Sequence, residues 1–341
     1  MRPPGRGLGV IFWSCCAVLA QGPPAAEYGN AVKQAENMRA RGDLDGVIRT
    51  LVPWVEKHPD RAEAQHALGV AYHQRNDFAG AIRHLSAALK LEPETSAARN
   101  QTVETLAMAY YFSNRSQEAL PLLEKAVASN PGDTYFLYAL AMSHVNVRDW
   151  NAARRAFARL FDIPPDGAEA LVLTADFLVR EKLPAEAEKL ILEAQKKRPD
   201  LPDINYRLAL IALTNGALPE ALTRLKRQLA ANPMHPMSWH YLGYVYARQA
   251  KLDEAVQSLQ RSIWLNLRST ESYVLIAEAY TQQAKYLEAE QALQRALELA
   301  PQNYEARFLL ARIYHKTNRP ALAAQEMAVA NKLRAESAGK Q

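Results

Sequence analysis

Apolar side chains recur along this chain at helical spacing, and the recurrence is itself repeated. Leu68, Ala71 and Tyr72 fall on one helical face, Asn76-Asp77 interrupts it, and Ala81, Leu85 and Ala88 form the stripe of a second helix. Pro93 then ends that helix, because proline lacks an amide donor and disfavours helical geometry in the residue before it. The same pair of stripes returns at a fixed interval. Prolines stand at 59, 93, 131, 165, 199, 233 and 301, with steps of 34, 38, 34, 34, 34 and 68, and Leu267 occupies the place of the missing one. Upstream of each lies a small residue, from Val47, Ala81 and Ala119 to Ala289 and Ala323. Four positions on comes a larger apolar one, from Leu51, Leu85 and Leu123 to Leu293 and Met327. No stretch alternates as a strand would, so the chain reads as all-α. Neither helix of a pair can bury its stripe alone, so the pairs must stack.

The columns resemble the tetratricopeptide repeat (TPR) family across residues 28–335. Seven units carry its large-then-small pair, as Leu68-Gly69, Leu106-Ala107, Leu140-Ala141, Leu208-Ala209, Leu242-Gly243, Ile276-Ala277 and Leu310-Ala311. The aromatic that should follow is present as Tyr72, Tyr110, Tyr246, Tyr280 and Tyr314, and is replaced by His144, Leu178 and Ala212 in the middle units. The resemblance implies a right-handed superhelical solenoid of about nine antiparallel helix pairs. First helices would line a concave groove and second helices the convex back. The first unit departs from the pattern, with Gln34-Ala35 at the large-then-small position, and is polar enough to cap the stack. Four extra residues between Pro93 and Pro131 are expected to lengthen the connection or the helix after it. Beyond the ninth unit, 336–341 reads as a tail, and the last unit is expected to leave an apolar edge open.

Composition agrees with helices, being 49% hydrophobic with only 14 glycines. Residues 1–20 stand apart. Arg2 and Arg6 precede an apolar run from Leu8 to Leu19, which is too short to span a bilayer. This predicts a cleaved secretory signal followed by a linker over 21–27, with a retained N-terminal anchor as the alternative. Export points to a secreted or bacterial periplasmic protein. Cys15 and Cys16 are the chain's two cysteines, so a processed chain would have no disulfide, thiolate metal site or cysteine nucleophile. Losing the two arginines lowers the formal charge from +5 to +3, a dispersed balance that gives no argument for nucleic acid.

Catalytic motifs are not apparent. There is no glycine-rich phosphate loop, HExxH spacing or serine elbow. His66 and His73 lie seven apart on one helix without a third ligand at useful spacing. The basic run Lys196-Lys197-Arg198 ends a helix, where cations complement the dipole. The expectation is a non-enzymatic protein with no catalytic residue, metal or cofactor.

Function then rests on the surface the resemblance assigns to the groove. Its central positions are Tyr111, Tyr135, Tyr138, Met142, Tyr206, Arg207, Leu210, Met237, His240, Tyr241, Tyr244 and Arg248; charged residues such as Glu271, Glu278 and Arg312 occupy one end. Tyrosine, methionine and arginine are enriched where proteins recognise one another. The expected partner is therefore a protein or peptide segment. Carbohydrate or envelope-polymer binding, and service as an accessory subunit of an enzyme or secretion complex, remain open alternatives. The stretch "WHYLGYVYARQA" at 239–250 divides at 100° per residue into two faces. Trp239, Leu242, Gly243 and Tyr246 face the core, while His240, Tyr241, Tyr244 and Arg248 face the groove.

Overall fold

Helices end in this chain where the backbone turns left-handed, and those turns keep the period read from the prolines. Gly42, Asn76, Asn114, Arg148, Lys182, Gly216, Ala250, Ala284 and Asn318 all have φ between 58° and 78°. At each, the next amide reaches back to a carbonyl five residues earlier, as in Asp77 N–H to Tyr72 O (2.9 Å) and Lys251 N–H to Tyr246 O (3.0 Å). This closure satisfies carbonyls that the helix end would otherwise orphan. The following helix starts at once. Asp43, Asp77 and Asp149 cap three such starts, their carboxylates accepting from the Gly46, Gly80 and Ala152 amides at 2.8–2.9 Å.

The computed structural model describes residues 23–338, all of whose regular elements are helices. They fall into two compact units that meet between Thr174 and Ala175. The first unit holds α1 (Pro23–Ala40), α2 (Leu44–Lys57), α3 (Ala62–Gln74), α4 (Phe78–Leu91), α5 (Ala97–Phe112), α6 (Ser116–Ser129), α7 (Thr134–Asn146) and α8 (Trp150–Leu160). Helix α9 (Ala168–Arg180) crosses the boundary. The second unit continues with α10 (Pro184–Lys197), α11 (Ile204–Thr214), α12 (Leu218–Ala231), α13 (Pro236–Arg248) and α14 (Leu252–Leu265). It ends with α15 (Thr270–Gln282), α16 (Tyr286–Leu299), α17 (Tyr304–Lys316) and α18 (Pro320–Ala338). Within each unit, consecutive helices pack as antiparallel pairs, and each pair packs on the next. Each unit is thus an all-α solenoid of helix pairs.

The columns of small and large residues form the spine of that packing. Ala81, Ala119, Ala153, Ala187, Ala221, Ala255 and Ala289 are fully buried, as are Leu51, Leu85, Leu123, Phe157, Leu225, Leu259 and Leu293. Close approach explains the glycines one column earlier. A Cβ on Gly69 would lie 2.5 Å from Cγ of Leu85.

Two departures from the sequence reading lie near the ends of the described residues. The segment 21–27, expected to be a linker, is helical from Pro23, a residue that is well tolerated in the first turn of a helix. The expected tail at 336–341 is helical as far as Ala338. The four extra residues near Pro93 are shared: α5 has 16 residues where α3 and α7 have 13, and the connection Glu92–Ser96 takes the remaining one. At the C-terminal end Ala323 and Met327 are only half-buried and Leu322 is exposed, so the final pair does leave apolar surface open. The predicted signal at 1–20 lies outside the described residues. Among those described, no helix is long and apolar enough to cross a membrane.

Candidate functional site

In the second unit, α11 and α13 carry the aromatic positions singled out above. Tyr206 on α11 and Tyr241 on α13 are half-buried, with ring centroids 6.0 Å apart and planes tilted by 46°. Burial, and then the neighbouring Tyr241, push the Tyr206 phenol up to about 12. Burial also raises Tyr241, helped by the Glu271 charge. Both phenols therefore stay protonated near neutrality and present a hydrogen-bonding tip on an apolar ring. Tyr244 lies one turn along and is half-buried, while Met237 and Arg248, at the two ends of α13, are exposed.

Two histidines fasten this shelf from beneath. His235 Nδ1 accepts the Ser238 amide at 3.1 Å, so its proton sits on Nε2, which faces Asp203 Oδ1 at 3.7 Å. Gln228 Nε2 donates to the same Asp203 oxygen at 2.8 Å. The His235 ring also lies against Tyr206, with centroids 4.7 Å apart. His240 Nδ1 hydrogen-bonds Ser272 Oγ on α15 at 2.9 Å, and burial holds its imidazole below the usual range against the opposing Glu271 charge. Ser272 is fully buried and also bonded to Ser262 and Ser269. No substrate can reach its hydroxyl, so the imidazole–hydroxyl pair is a fastening between α13 and α15.

The division expected for α13 is only partly reproduced. Leu242 and Gly243 are buried, yet Trp239 and Tyr246 are half-buried like Tyr241 and Tyr244, and all four rings lie against the core formed by Ala221, Leu225 and Leu242. Trp239 Nε1 donates to the Pro233 carbonyl at 2.8 Å, locking that ring over the connection. Tyr241 and Tyr244 are thus shelf residues with one face in the core. Arg207 needs a correction as well. It is held by Asp176 through Nε and Nη2, at 3.0–3.3 Å, and is no free cation. Leu210 is half-buried.

The first unit's candidates behave differently. Tyr135 is exposed and Tyr111 and Tyr138 are half-buried, but Met142 is 7% exposed and belongs to the interior. Another group here superficially suggests chemistry. Thr102 Oγ1 donates to Glu92 Oε1 at 2.8 Å and lies 2.7 Å from His66 Nδ1. The hydroxyl stands in the middle of this chain and is fully buried, so it cannot act as a nucleophile activated by the imidazole. Among the described residues no cluster of histidine, cysteine, aspartate and glutamate could hold a metal.

Comparison with known families decides the class. Tetratricopeptide repeat models match residues 62–95, 104–144, 138–202 and 280–339. The chain is a tetratricopeptide repeat protein. A model of the anaphase-promoting complex (cyclosome) subunit 3 matches 214–296 of this TPR chain. No curated protein matches it in sequence. Among solved structures, MamA (41-end) from Desulfovibrio magneticus RS-1 is 19% identical with a TM-score of 0.47, over 50% of this chain and 97% of that one. The Cut9–Hcn1 hetero-tetramer of the anaphase-promoting complex is 15% identical with a TM-score of 0.49, over 85% of this chain and 56% of that one. A thermophilic TPR protein of Thermus thermophilus is 24% identical with a TM-score of 0.42, over 51% of this chain and 98% of that one. The TPR architecture is that of a protein-interaction scaffold, and such families are generally non-enzymatic.

Sequence reasoning did not single out Tyr304, Phe308 and Arg334, which line a cleft at the C-terminal end with Glu278, Glu305 and Arg312. The signal was available in α18. It has 19 residues where α16 has 14, and no proline ends it.

Proposed function

We propose that this TPR protein is a scaffold that holds an apolar or aromatic segment of a partner protein on the shelf formed by Tyr206, Tyr241 and Tyr244, with Met237 at its rim. The pairing of Tyr206 with Tyr241 across two successive first helices carries the reading. Two half-open rings, braced by His235 and His240, offer rigid area at little entropic cost, which is what recognition anchors require. Met237 adds an adaptable side chain. The proposal includes export, on the strength of the N-terminal pattern, and action outside the cytoplasm.

Site-specific photocrosslinking in the producing cell tests the shelf. A crosslinker at Met237 is expected to trap a defined partner segment, and one at Leu287, 66% exposed on α16, is not. Tyr241→Ala with Tyr244→Ala should abolish the Met237 adduct while circular dichroism still reports a folded chain. Equal yields at the two positions, or a Met237 adduct that survives the double substitution, would overturn the proposal. Finding the chain only in the cytoplasmic fraction would remove the export part alone.

A further inference from the structure

A cleft apart from the tyrosine shelf lies at the C-terminal end of this unit. Here α15, α17 and the long α18 enclose an open cleft of about 420 Å³. Glu278 from α15 and Glu305 from α17 share its wall. Glu278 has no ion-pair partner among the described residues, and Glu305 receives only a long hydrogen bond, 3.5 Å, from the adjacent Tyr304 hydroxyl. The rings of Tyr304 and Phe308 line the same space, 38% and 42% exposed, and neither belongs to the apolar cluster that holds these helices together. The Arg312 guanidinium lies 6.0 Å over Phe308, so that ring already faces a cation.

We propose that this cleft takes a basic side chain, arginine or lysine, from a partner segment. Its charged end would lie between the two carboxylates, and its alkyl stem would lie along the Phe308 and Tyr304 rings. Long cationic side chains bury their stems in this way while the head group finds a charge partner. Arg312 and Arg334 also border the cleft, but the Arg312 guanidinium already lies over the Phe308 ring, whereas neither carboxylate has an ion-pair partner among the described residues. Partial burial, and then the Glu305 charge, hold the Glu278 carboxyl above the usual carboxylate range even with Arg312 opposing. This site is separate from the tyrosine shelf and does not depend on it.

The test titrates the full chain with short peptides, acetylated and amidated at their ends, that differ only in one central residue: arginine, lysine, norleucine or glutamate. Saturable binding of the arginine and lysine peptides is expected, with the norleucine peptide at least about tenfold weaker, which corresponds to roughly 1.4 kcal/mol. Glu278→Gln with Glu305→Gln should weaken the basic peptides by a similar factor without shifting the melting temperature. Arg312→Gln, which removes a competing cation, should strengthen them several-fold. Tyr241→Ala should leave them unchanged. A glutamate peptide that binds as well as the arginine one would overturn the proposal. So would unaltered binding in the double glutamine variant, or no saturable binding of either basic peptide.

Discussion

Gly243 leaves the space that Leu259 fills: a Cβ there would lie 2.6 Å from Cγ of Leu259 and 3.2 Å from the Ala255 carbonyl. Gly243→Ala therefore sets two effects against each other. Alanine favours the helix by about 1 kcal/mol, while forcing a methyl into a close-packed interface costs about 1–3 kcal/mol. The carbonyl belongs to the backbone of α14 and cannot rotate away, so the cost wins. Urea unfolding should show a net loss of up to roughly 2 kcal/mol, and a cycle with Leu259→Ala should be clearly less than additive. Additive losses would mean that the methyl and the leucine do not compete for space.

Ala250 and Ala284 hold φ at 59°, in turns where five other units place asparagine or glycine, as Gly42, Asn76, Asn114, Gly216 and Asn318. A left-handed residue with a Cβ is strained by roughly 1–2 kcal/mol, and glycine gives back part of this in unfolded-chain entropy. Each alanine-to-glycine change should stabilise the protein by about 0.5 kcal/mol, and the pair should add, because the sites are a repeat apart. A raised melting temperature of the double variant is the check. No rise would show that the turn tolerates the methyl.

The period of prolines and alanines carried the architecture because a repeated contact demands a repeated residue. Ala81 and its equivalents through Ala289 are fully buried, and the sequence shows it as a column of small residues. Contacts that occur once leave no such column. Asp176 takes the charge of Arg207 from 31 residues away, on the preceding first helix, so periodicity alone showed an arginine and not its partner. Met142 stood in a groove column but is buried by its own surroundings. Tyr241 and Tyr244 have an angular position that sequence can assign, but how far each ring leans on the core depends on Leu225 and Leu242. The cleft beside Phe308 depends on the length of α18, which proline punctuation does not set.

The Arg207–Asp176 pair separates structural from recognition roles on α11. Both side chains are about one-third exposed, 29% and 39%, so solvent screens the pair and its contribution is at most about 1 kcal/mol. Arg207→Met should cost no more than that at low salt and less at high salt. Capture of a partner at Met237 should be unaffected, since the guanidinium is occupied. A loss of capture without a loss of stability would return Arg207 to the recognition surface.

His66 gives the first unit a defined acid response. Burial, and then the Arg39 charge, lower its imidazole to about 4, whereas an unfolded histidine titrates at about 6.5. Between those values the unfolded chain binds a proton that the folded chain refuses. The stability linked to His66 is therefore complete above the unfolded value and falls as the pH drops from about 6.5 towards 4. Glu92, joined to His66 through Thr102, opposes this: burial raises its carboxyl, so the folded state takes up its proton first and gains on acidification. Other half-buried histidines, including His73, His84 and His144, are also lowered, so the slope of the whole chain does not isolate one group. The difference between parent and His66→Asn does, because asparagine keeps an amide donor for the Thr102 hydroxyl but does not titrate. The parent should lose more stability than His66→Asn between pH 7 and pH 5 in urea unfolding, and the His66 ring resonances should titrate near 4. Parallel pH dependences, or a ring midpoint near the unfolded value, would show that the imidazole is not held as its burial under Arg39 implies.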